Sequence, residues 1–308
     1  MQRWAIGDER RAALPSTVTG VINFRRAMTA VGALAVAVVG CSGSRSSTSK
    51  CPASPFRSSP PQVIAHGGGE GLGPSNTLLA LQRSLAAGAD ILDTDVWMTS
   101  DGIVVARHDR DLSTTTDGSG NIDQTTWAEL QMLDTRTHWT GPPIADPVRV
   151  PSLEQILAEF PAVTVSIEIK QTQPSIARLL CDVLVRTHST GRVFLTANDD
   201  SATIEAQARC PSTRIVNTTY RDLGEMRAAQ ANDAAWCAPA EIGQPPYRDG
   251  RFSAADIAWA HDHGMAIYTW TVDDPAVLLA LAEAGVDGVY TTRPDIARRI
   301  FDRFSGSG

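Results

Sequence analysis

The sequence predicts an α/β protein with a (β/α)8 barrel. Eight short apolar runs alternate with amphipathic stretches along a 308-residue chain that is 43% hydrophobic and 20% charged. Repeated strand–helix units form parallel sheets with right-handed crossovers, and eight such units favour a closed barrel over an open sheet. No G-x-G-x-x-G motif follows the first apolar run, which argues against a dinucleotide-binding fold.

Each apolar run is a predicted strand, and each amphipathic stretch between runs is a predicted helix. The predicted strands are Val63–His66, Ile91–Val96, Val163–Ile169, Val193–Thr196, Arg214–Asn217, Ala234–Ala238, Met265–Thr271 and Gly288–Thr291. The predicted helices are Thr77–Ala87, Ser152–Glu159, Ser175–His188, Ser201–Arg209, Leu223–Ala231, Ala254–His263, Pro275–Ala284 and Asp295–Phe304.

One segment interrupts this alternation. Residues from about 109 to 150 are rich in Thr, Gly, Asp and Pro, and they predict an insertion after the second strand that lies over one rim of the barrel. The barrel domain is therefore expected to span residues 62–304, with a short tail at 305–308.

The N-terminus has the pattern of an export signal. Arg25 and Arg26 precede a small and apolar run of 14 residues, Ala27–Gly40, which is too short to span a bilayer but typical of a signal-peptide core. The run ends at Cys41 in a sequence that resembles the bacterial lipobox. That resemblance implies removal of residues 1–40 and lipidation of Cys41; the alternative is an ordinary secretory signal with an incidental cysteine.

The segment after Cys41 is rich in Ser, Pro and Gly. This composition predicts that residues 41–61 form a lipidated flexible tether. We therefore expect a protein that is lipid-anchored at the cell membrane on its extracytoplasmic side.

Four cysteines remain beyond Cys41: Cys51, Cys181, Cys210 and Cys237. Export permits disulfides, and four cysteines allow three pairings between which the sequence does not choose. Buried thiols are the alternative. The chain has no C-x-x-C spacing, which argues against a structural zinc site.

The charge of the chain bears on its partners. The net charge is −7, and because residues 1–40 contribute +3, the remainder has about −10. An acidic body argues against nucleic acid as a partner and suits a protein that binds divalent cations.

Charged side chains recur where the first strands end, and active sites of such barrels lie at the C-terminal ends of the strands. Asp93 and Asp95 lie two residues apart on one strand and therefore share a face, as do Glu168 and Lys170. Each residue alone could be structural or a solvated edge. The set is His66, Asp93, Asp95, His108, Glu168 and Lys170.

These residue types together suit phosphoryl chemistry. Three carboxylates favour a hard divalent cation, Mg²⁺ or Ca²⁺. Two histidines, His66 and His108, can serve as general acid and general base on either side of a phosphorus atom. Lys170 can add positive charge against phosphoryl oxygens.

The order and spacing of the motifs resemble the glycerophosphodiester phosphodiesterase family over nearly all of residues 63–303. The motifs are His66-Gly67-Gly68, Pro74-Ser75-Asn76-Thr77, Asp93-Thr94-Asp95, Thr99-Ser100-Asp101-Gly102, His108-Asp109, Glu168-Ile169-Lys170 and Gly285-Val286-Asp287-Gly288.

The resemblance implies a (β/α)8 barrel that hydrolyses small phosphodiesters. It implies a divalent metal held by Asp93, Asp95 and Glu168, and an acid–base pair of His66 and His108. Lys170, Trp270 and position 67 are expected at the substrate. Trp270 could equally be a core residue, and the remaining histidines (His138, His188, His261 and His263) are expected to be structural or on the surface.

The chain departs from the family pattern at three positions. Gly67 stands where the family has arginine, Ser75 where it has glutamate, and Asp93 where it has glutamate. One interpretation is an active enzyme with altered preference, for example for lysophospholipids. The other is a degenerate barrel that binds a phosphodiester or a glycan. Two further alternatives are a sphingomyelinase-D-like phospholipase and a phosphatidylinositol-specific phospholipase C, both disfavoured by the threonine-rich turn after His108 and by the Glu168–Lys170 motif.

Overall fold

The computed structural model describes residues 51–215, 224, 227–228, 231, 236–247 and 253–305. The predicted leader, Cys41 and most of the predicted helix Leu223–Ala231 lie outside the described residues. Within them, no helix is both long enough and apolar enough to cross a membrane.

The described strands form one curled sheet of the predicted barrel type. Eight strands are parallel, in the order β6-β5-β4-β2-β1-β9-β8-β7, and β3 pairs antiparallel with β2. Because the first strand pairs with both the second and the last, the sheet curls on itself, and the (β/α)8 prediction is confirmed. The strands are β1 Gln62–Ala65, β2 Ile91–Met98, β3 Val104–Ala106, β4 Thr164–Ile169, β5 Val193–Ala197, β6 Arg214–Ile215, β7 Ile242–Gly243, β8 Ala266–Thr269 and β9 Gly288–Thr291.

The described helices pack outside this sheet, and several of them begin at capping residues. Thr77, Ser152 and Ser253 each accept a hydrogen bond from a backbone N–H in the first turn, and Asp274 does so before a proline at the first helical position. The helices are α1 Leu78–Ala86, α2 Trp127–Leu130, α3 Leu153–Glu159, α4 Ala177–Arg186, α5 Asp200–Arg209, α6 Ala254–Asp262, α7 Pro275–Ala284 and α8 Pro294–Phe301.

The predicted strand Ala234–Ala238 is wrong over its described part. Residues 236–238 have no regular structure, and the strand in this part of the sheet is β7, where Ile242 is in register with Ala266. The reason is tertiary: Cys237 is held in a disulfide, and the Trp236 ring stacks on Trp259 of α6. These contacts draw the stretch away from the sheet. The predicted strand Arg214–Asn217 is described only as far as Ile215.

The residues between β3 and α3 form the segment that the sequence predicted as an insertion. Short 3-10 turns and α2 surround a small apolar core of their own. Its buried members are Val105, Leu112, Ile122, Leu130 and Val150.

The N-terminal part of the described chain is packed against the barrel. Ser54 Oγ donates to the carbonyl of Glu241 at 2.6 Å, and Ser58 N donates to Asp287 Oδ1 at 3.2 Å. Both partners immediately precede strands, so this segment closes the N-terminal end of the barrel, and Phe56 packs on the core there. The predicted flexible tether is therefore wrong for residues 51–61, because apolar burial and hydrogen bonds hold them; residues 42–50 lie outside the described residues.

Two disulfides settle the cysteine pairing. Cys51 pairs with Cys237, and Cys181 pairs with Cys210, with Cα–Cα distances of 5.6 and 5.7 Å. The first ties the N-terminal segment to the stretch before β7. The second joins α4 to the end of α5. The alternative of buried thiols is wrong for these four residues.

Candidate active site

A cavity of about 190 Å³ opens at the C-terminal ends of the strands. It brings together residues that lie far apart in the sequence, and we call it the central cavity. Six residues predicted from the sequence or from the resemblance line it, and a seventh lies beside it. Those that line it are His66, Asp93, His108, Glu168, Lys170 and Trp270.

Asp95 lies beside the central cavity and is almost fully buried, at 1% exposed. The register of the sheet explains its position, because Asp95 of β2 is the partner of Glu168 of β4. Asp95 Oδ2 accepts a hydrogen bond from Asn76 Nδ2 at 3.0 Å. Asp95 Oδ1 is buried without a hydrogen-bond partner, although Lys170 Nζ is 3.2 Å away.

Asn76 positions Asp95 and was missed by the sequence analysis except as a letter in a motif. Its side-chain oxygen accepts from Thr94 Oγ1 at 2.7 Å and from Asp95 N at 2.9 Å. Its backbone has a positive φ of 57°, which asparagine tolerates better than most residues. The signal available in the sequence was an asparagine in a turn of small residues.

Lys170 lies between two of the carboxylates that were predicted to bind metal. Its Nζ is 2.9 Å from Glu168 Oε1 and 3.2 Å from Asp95 Oδ1. Burial lowers the pKa of Lys170, but these two carboxylates outweigh burial and raise it, so the side chain is charged. Burial raises the pKa of Glu168, and Lys170 opposes that rise.

Within the described ranges, no three His, Cys, Asp or Glu side chains form a ready metal-binding group. The donor set nevertheless fits a hard cation. Asp93, Asp95 and Glu168 supply carboxylate oxygens at adjacent strands, and Asp95 Oδ1 still has unused acceptor capacity. Three carboxylates opposite one ammonium and one imidazole leave an excess of negative charge that a divalent cation would balance.

The two predicted catalytic histidines both line the cavity, in different surroundings. His66 Nδ1 lies 3.3 Å from Asp93 Oδ2, without the alignment of a hydrogen bond. Burial lowers the pKa of His66, but Asp93, with smaller contributions from Asp95 and Glu70, raises it to about 9. His108 is half-exposed, and its Nδ1 lies 2.9 Å from Asp109 Oδ1.

Arg107 fixes the loop that presents His108. Its guanidinium is buried and donates to the carbonyls of Asp109 and Asp111 at 3.0 and 2.6 Å. Burial lowers the pKa of Arg107 to about 10, so it remains charged. Arg107 therefore has a positioning role that the sequence analysis did not assign.

Gly67 contributes backbone to the site and leaves room for another side chain. Its N–H donates to Asp93 Oδ2 at 3.1 Å, and its φ is +55°. A Cβ at this position would lie 2.6 Å from Glu70 Oε1. The carboxylate of Glu70 thus occupies the space next to position 67 where the family pattern has an arginine.

The rest of the wall of the central cavity is neutral. Tyr290 Oη lies 3.1 Å from Ser166 Oγ and accepts a short hydrogen bond from Gln244 Nε2. Burial raises the pKa of Tyr290 well above its usual value, so the phenol stays protonated. Trp270 is 38% exposed and donates from Nε1 to the Gln244 carbonyl at 2.9 Å, so it is a mouth residue and not a core residue.

Tyr290 and Gln244 were missed by the sequence analysis. Gln244 directly follows β7, which had been predicted at the wrong place. With this strand placed correctly, the rule that functional residues follow the ends of strands would have identified Gln244.

Three of the four remaining histidines lie away from the mouth. His261 Nε2 is 2.7 Å from Asp287 Oδ2 at the N-terminal end of the barrel, His263 packs against Trp259, and His188 ends α4. His138 differs, because it lines a second cavity.

This second cavity, of about 450 Å³, adjoins the central one, and we call it the rim cavity. Both cavities are lined by His66 and His108. The rest of the rim cavity comes from the loop before α1 and from the insertion. Its other lining residues are Glu70, Gly73, Pro74, Ser75, Asp109, Thr115, Thr135, His138, Trp139 and Thr140.

Comparison with known proteins identifies relatives of this chain. A glycerophosphodiester phosphodiesterase of Bacillus subtilis is 26% identical over 257 residues, which cover 77% of this chain and 85% of the relative. An uncharacterized protein of Mycobacterium tuberculosis is 35% identical over 157 residues, and this match spans about half of that relative, 52%.

Solved structures share the fold. The structure of a putative glycerophosphoryl diester phosphodiesterase from Silicibacter pomeroyi matches with a TM-score of 0.69 at 24% identity, over 81% of this chain and 96% of that one. A phosphodiesterase of Oleispira antarctica in complex with the product sn-glycerol-3-phosphate matches with a TM-score of 0.62 at 22% identity, over 79% and 97% of the two chains.

The model of the glycerophosphoryl diester phosphodiesterase family matches residues 66–296, a range that includes the central and rim cavities. This range is well over half of the chain. The chain therefore belongs to the glycerophosphoryl diester phosphodiesterase family, whose members are phosphoric diester hydrolases.

Proposed function

We propose that this protein hydrolyses glycerophosphodiesters to an alcohol and a glycerol phosphate with the help of a divalent cation. The main observation is that two histidines, three carboxylates and one lysine meet at the mouth of a barrel of this family. The Oleispira antarctica neighbour holds sn-glycerol-3-phosphate as product, which supports a small phosphodiester as the substrate.

Asp93, Asp95 and Glu168 would hold the cation, Mg²⁺ or Ca²⁺. When bound, it supplies positive charge next to a non-bridging phosphoryl oxygen. Lys170 adds a second positive charge on the same side. Such charge is needed because an anionic diester would otherwise meet a cluster with excess negative charge.

His66 and His108 would perform the proton transfers. One removes a proton from the nucleophile, which is water or a neighbouring hydroxyl of the glycerol. In the second case the first product is a cyclic phosphate, which water then opens to a glycerol phosphate. The other histidine donates a proton to the leaving alkoxide, so the phosphorus–oxygen bond breaks and a neutral alcohol leaves. Their positions on the shared wall of the two cavities suit this division of roles.

A second candidate function is a binding module without catalysis. The specific observation in its favour is the absence of a guanidinium at position 67, because a backbone N–H and a nearby carboxylate replace a cationic side chain.

We also propose that Cys41 is lipidated and anchors the protein outside the cytoplasm. The nine residues 42–50 between Cys41 and the disulfide-bonded Cys51 span at most roughly 30 Å. Cys51 belongs to the segment that closes the N-terminal end of the barrel, opposite the cavities. If Cys41→Ala leaves the protein in the membrane fraction, the anchor proposal is wrong.

The experiment that tests hydrolysis uses residues 42–308 with Mg²⁺, with Ca²⁺ and with EDTA. The substrates are glycerophosphocholine, glycerophosphoglycerol and lysophosphatidylcholine. We expect turnover of the first two that depends on metal and is lost in His66→Ala, while His188→Asn, an exposed histidine at the end of α4, retains it. A folded protein that binds the cation but turns over none of them would favour the binding module.

A further inference from the structure

We propose that the rim cavity is a subsite for a cationic leaving alcohol, so that the protein prefers glycerophosphodiesters whose alcohol bears an ammonium group. This inference rests on the proposed function and specifies its substrate class.

The position of the rim cavity suits a leaving group. His66 and His108 line both cavities, so a phosphorus atom held between them faces the central cavity on one side and the rim cavity on the other. The central cavity offers Asn198, Thr196 and Gln244, which suit the hydroxyls of glycerol. The rim cavity, at about 450 Å³, has room for the alcohol on the opposite side of the phosphorus.

The charge of the rim cavity suits a cation. Two carboxylates, Glu70 and Asp109, line it, against one imidazolium, His66, at the boundary with the central cavity, and neither lysine nor arginine is among its described lining residues. Glu70 Oε1 accepts from Ser75 Oγ at 2.9 Å, and no ion pair to Glu70 occurs within the described part of the chain. Arg107, the guanidinium on this loop, is turned to backbone carbonyls.

An aromatic face completes the subsite. The indole of Trp139 is half-buried in the wall of the rim cavity, and its N–H donates to the Pro142 carbonyl at 2.8 Å. A Cβ on Gly141 would lie only 2.0 Å from the indole ring, so the chain packs closely against it and holds it in place. A cavity lined by a fixed indole and by two carboxylates is a favourable environment for an ammonium or quaternary ammonium group.

Gly67 and Glu70 are coupled in this arrangement. A Cβ at position 67 would lie 2.6 Å from Glu70 Oε1, so a larger side chain there would displace the Glu70 carboxylate from its present position in the rim. The departure at position 67 is then a change of specificity and does not mean that the site has degenerated.

The test uses the full chain with the cation that supports turnover. It compares kcat/KM for glycerophosphocholine with kcat/KM for glycerophosphoglycerol, whose leaving alcohol is neutral. We expect the wild-type ratio to exceed about ten, and Glu70→Gln to lower it about tenfold. Trp139→Leu should lower the ratio by a smaller factor. Glu159→Gln is the matched control, because Glu159 is an exposed glutamate at the end of α3, outside both cavities.

A second measurement uses inhibition of glycerophosphoglycerol hydrolysis by choline and by its neutral isostere, in which carbon replaces nitrogen. Choline should inhibit the wild type more strongly, and Glu70→Gln should remove the difference. An unchanged ratio in Glu70→Gln, or equal inhibition by both alcohols, overturns the subsite. Failure to hydrolyse either diester contradicts the proposed function instead, and calorimetric binding of choline to the wild type and to Glu70→Gln then decides on the subsite.

Discussion

The two halves of the barrel mouth differ in chemistry. The half built from β1, β2 and β4 carries His66, Asp93, Asp95, Glu168 and Lys170, in contact with one another through ion pairs of 2.9–3.3 Å and backbone N–H groups. The half built from β5, β7, β8 and β9 has neutral hydrogen-bonding side chains and an exposed indole. The charged side chains are therefore concentrated on one side of the mouth, and the neutral side chains on the other side shape the cavity.

The largest expected effect tests whether His108 acts together with the charged half. His108 follows β3, which pairs with β2, and its carbonyl accepts a hydrogen bond from Trp97 Nε1 at 2.9 Å. His108→Gln should lower kcat by about 10² to 10⁴-fold, because a general acid or base contributes that much. Since His108 is half-exposed, folding should be unaffected, and circular dichroism checks this. A rise in KM with unchanged kcat would assign His108 to substrate binding, together with the neutral half.

The next largest effect is expected for Asn76, which positions Asp95 in the charged half. Asn76→Ala removes both hydrogen bonds that orient Asp95, so we expect affinity for the cation to fall about 10- to 100-fold. Because buried groups of Thr94 and Asp95 lose partners, the free energy of unfolding should also fall by about 1–3 kcal/mol. Metal titration and urea unfolding measure the two effects, and unchanged cation affinity would contradict the positioning role.

The third prediction concerns the neutral half. Tyr290→Phe removes the hydroxyl that Gln244 and Ser166 contact but keeps the ring beside His66, so kcat/KM should fall by less than about tenfold. A fall in activity as large as that of His108→Gln would contradict the contrast between the two halves, because the neutral half would then take part in the reaction.

The smallest effect is expected outside both halves, in the insertion. The pKa of Asp134 is lowered to about 2. The Arg136 side chain lowers it most, the backbone N–H groups of Arg136 and Val148 add to this, and together they outweigh burial, which raises it. A carboxylate with a lowered pKa stabilises the fold above its usual pKa of 3.8, and this contribution is lost as the pH falls toward 2. Because solvent screens the pair in part, Asp134→Asn should cost about 1 kcal/mol at pH 7.

Urea unfolding between pH 7 and pH 3 measures this cost. The difference between Asp134→Asn and wild type should shrink as the pH falls below about 4. Glu283→Gln is the control, because Glu283 is an exposed carboxylate on α7, outside the insertion. A difference that stays constant with pH would assign the effect to lost hydrogen bonds and not to charge.

The sequence by itself determined the fold class and the charged half of the mouth. Strand periodicity places Asp93 and Asp95 on one face, and the same rule places Glu168 and Lys170 together, because side chains alternate along a strand. The parallel order of the strands then brings their ends to one rim. These are local patterns that need no knowledge of distant contacts.

Only the tertiary structure decided the rest. The disulfide Cys51–Cys237 and the packing of Trp236 keep residues 236–238, the described part of one predicted strand, out of the sheet, and the strand before Gln244 is β7 instead. Lys170 lies between the predicted metal carboxylates, and Glu70 reaches past Gly67 to a rim cavity half built by the insertion. Each of these depends on contacts between residues far apart in the chain, which local periodicity does not encode.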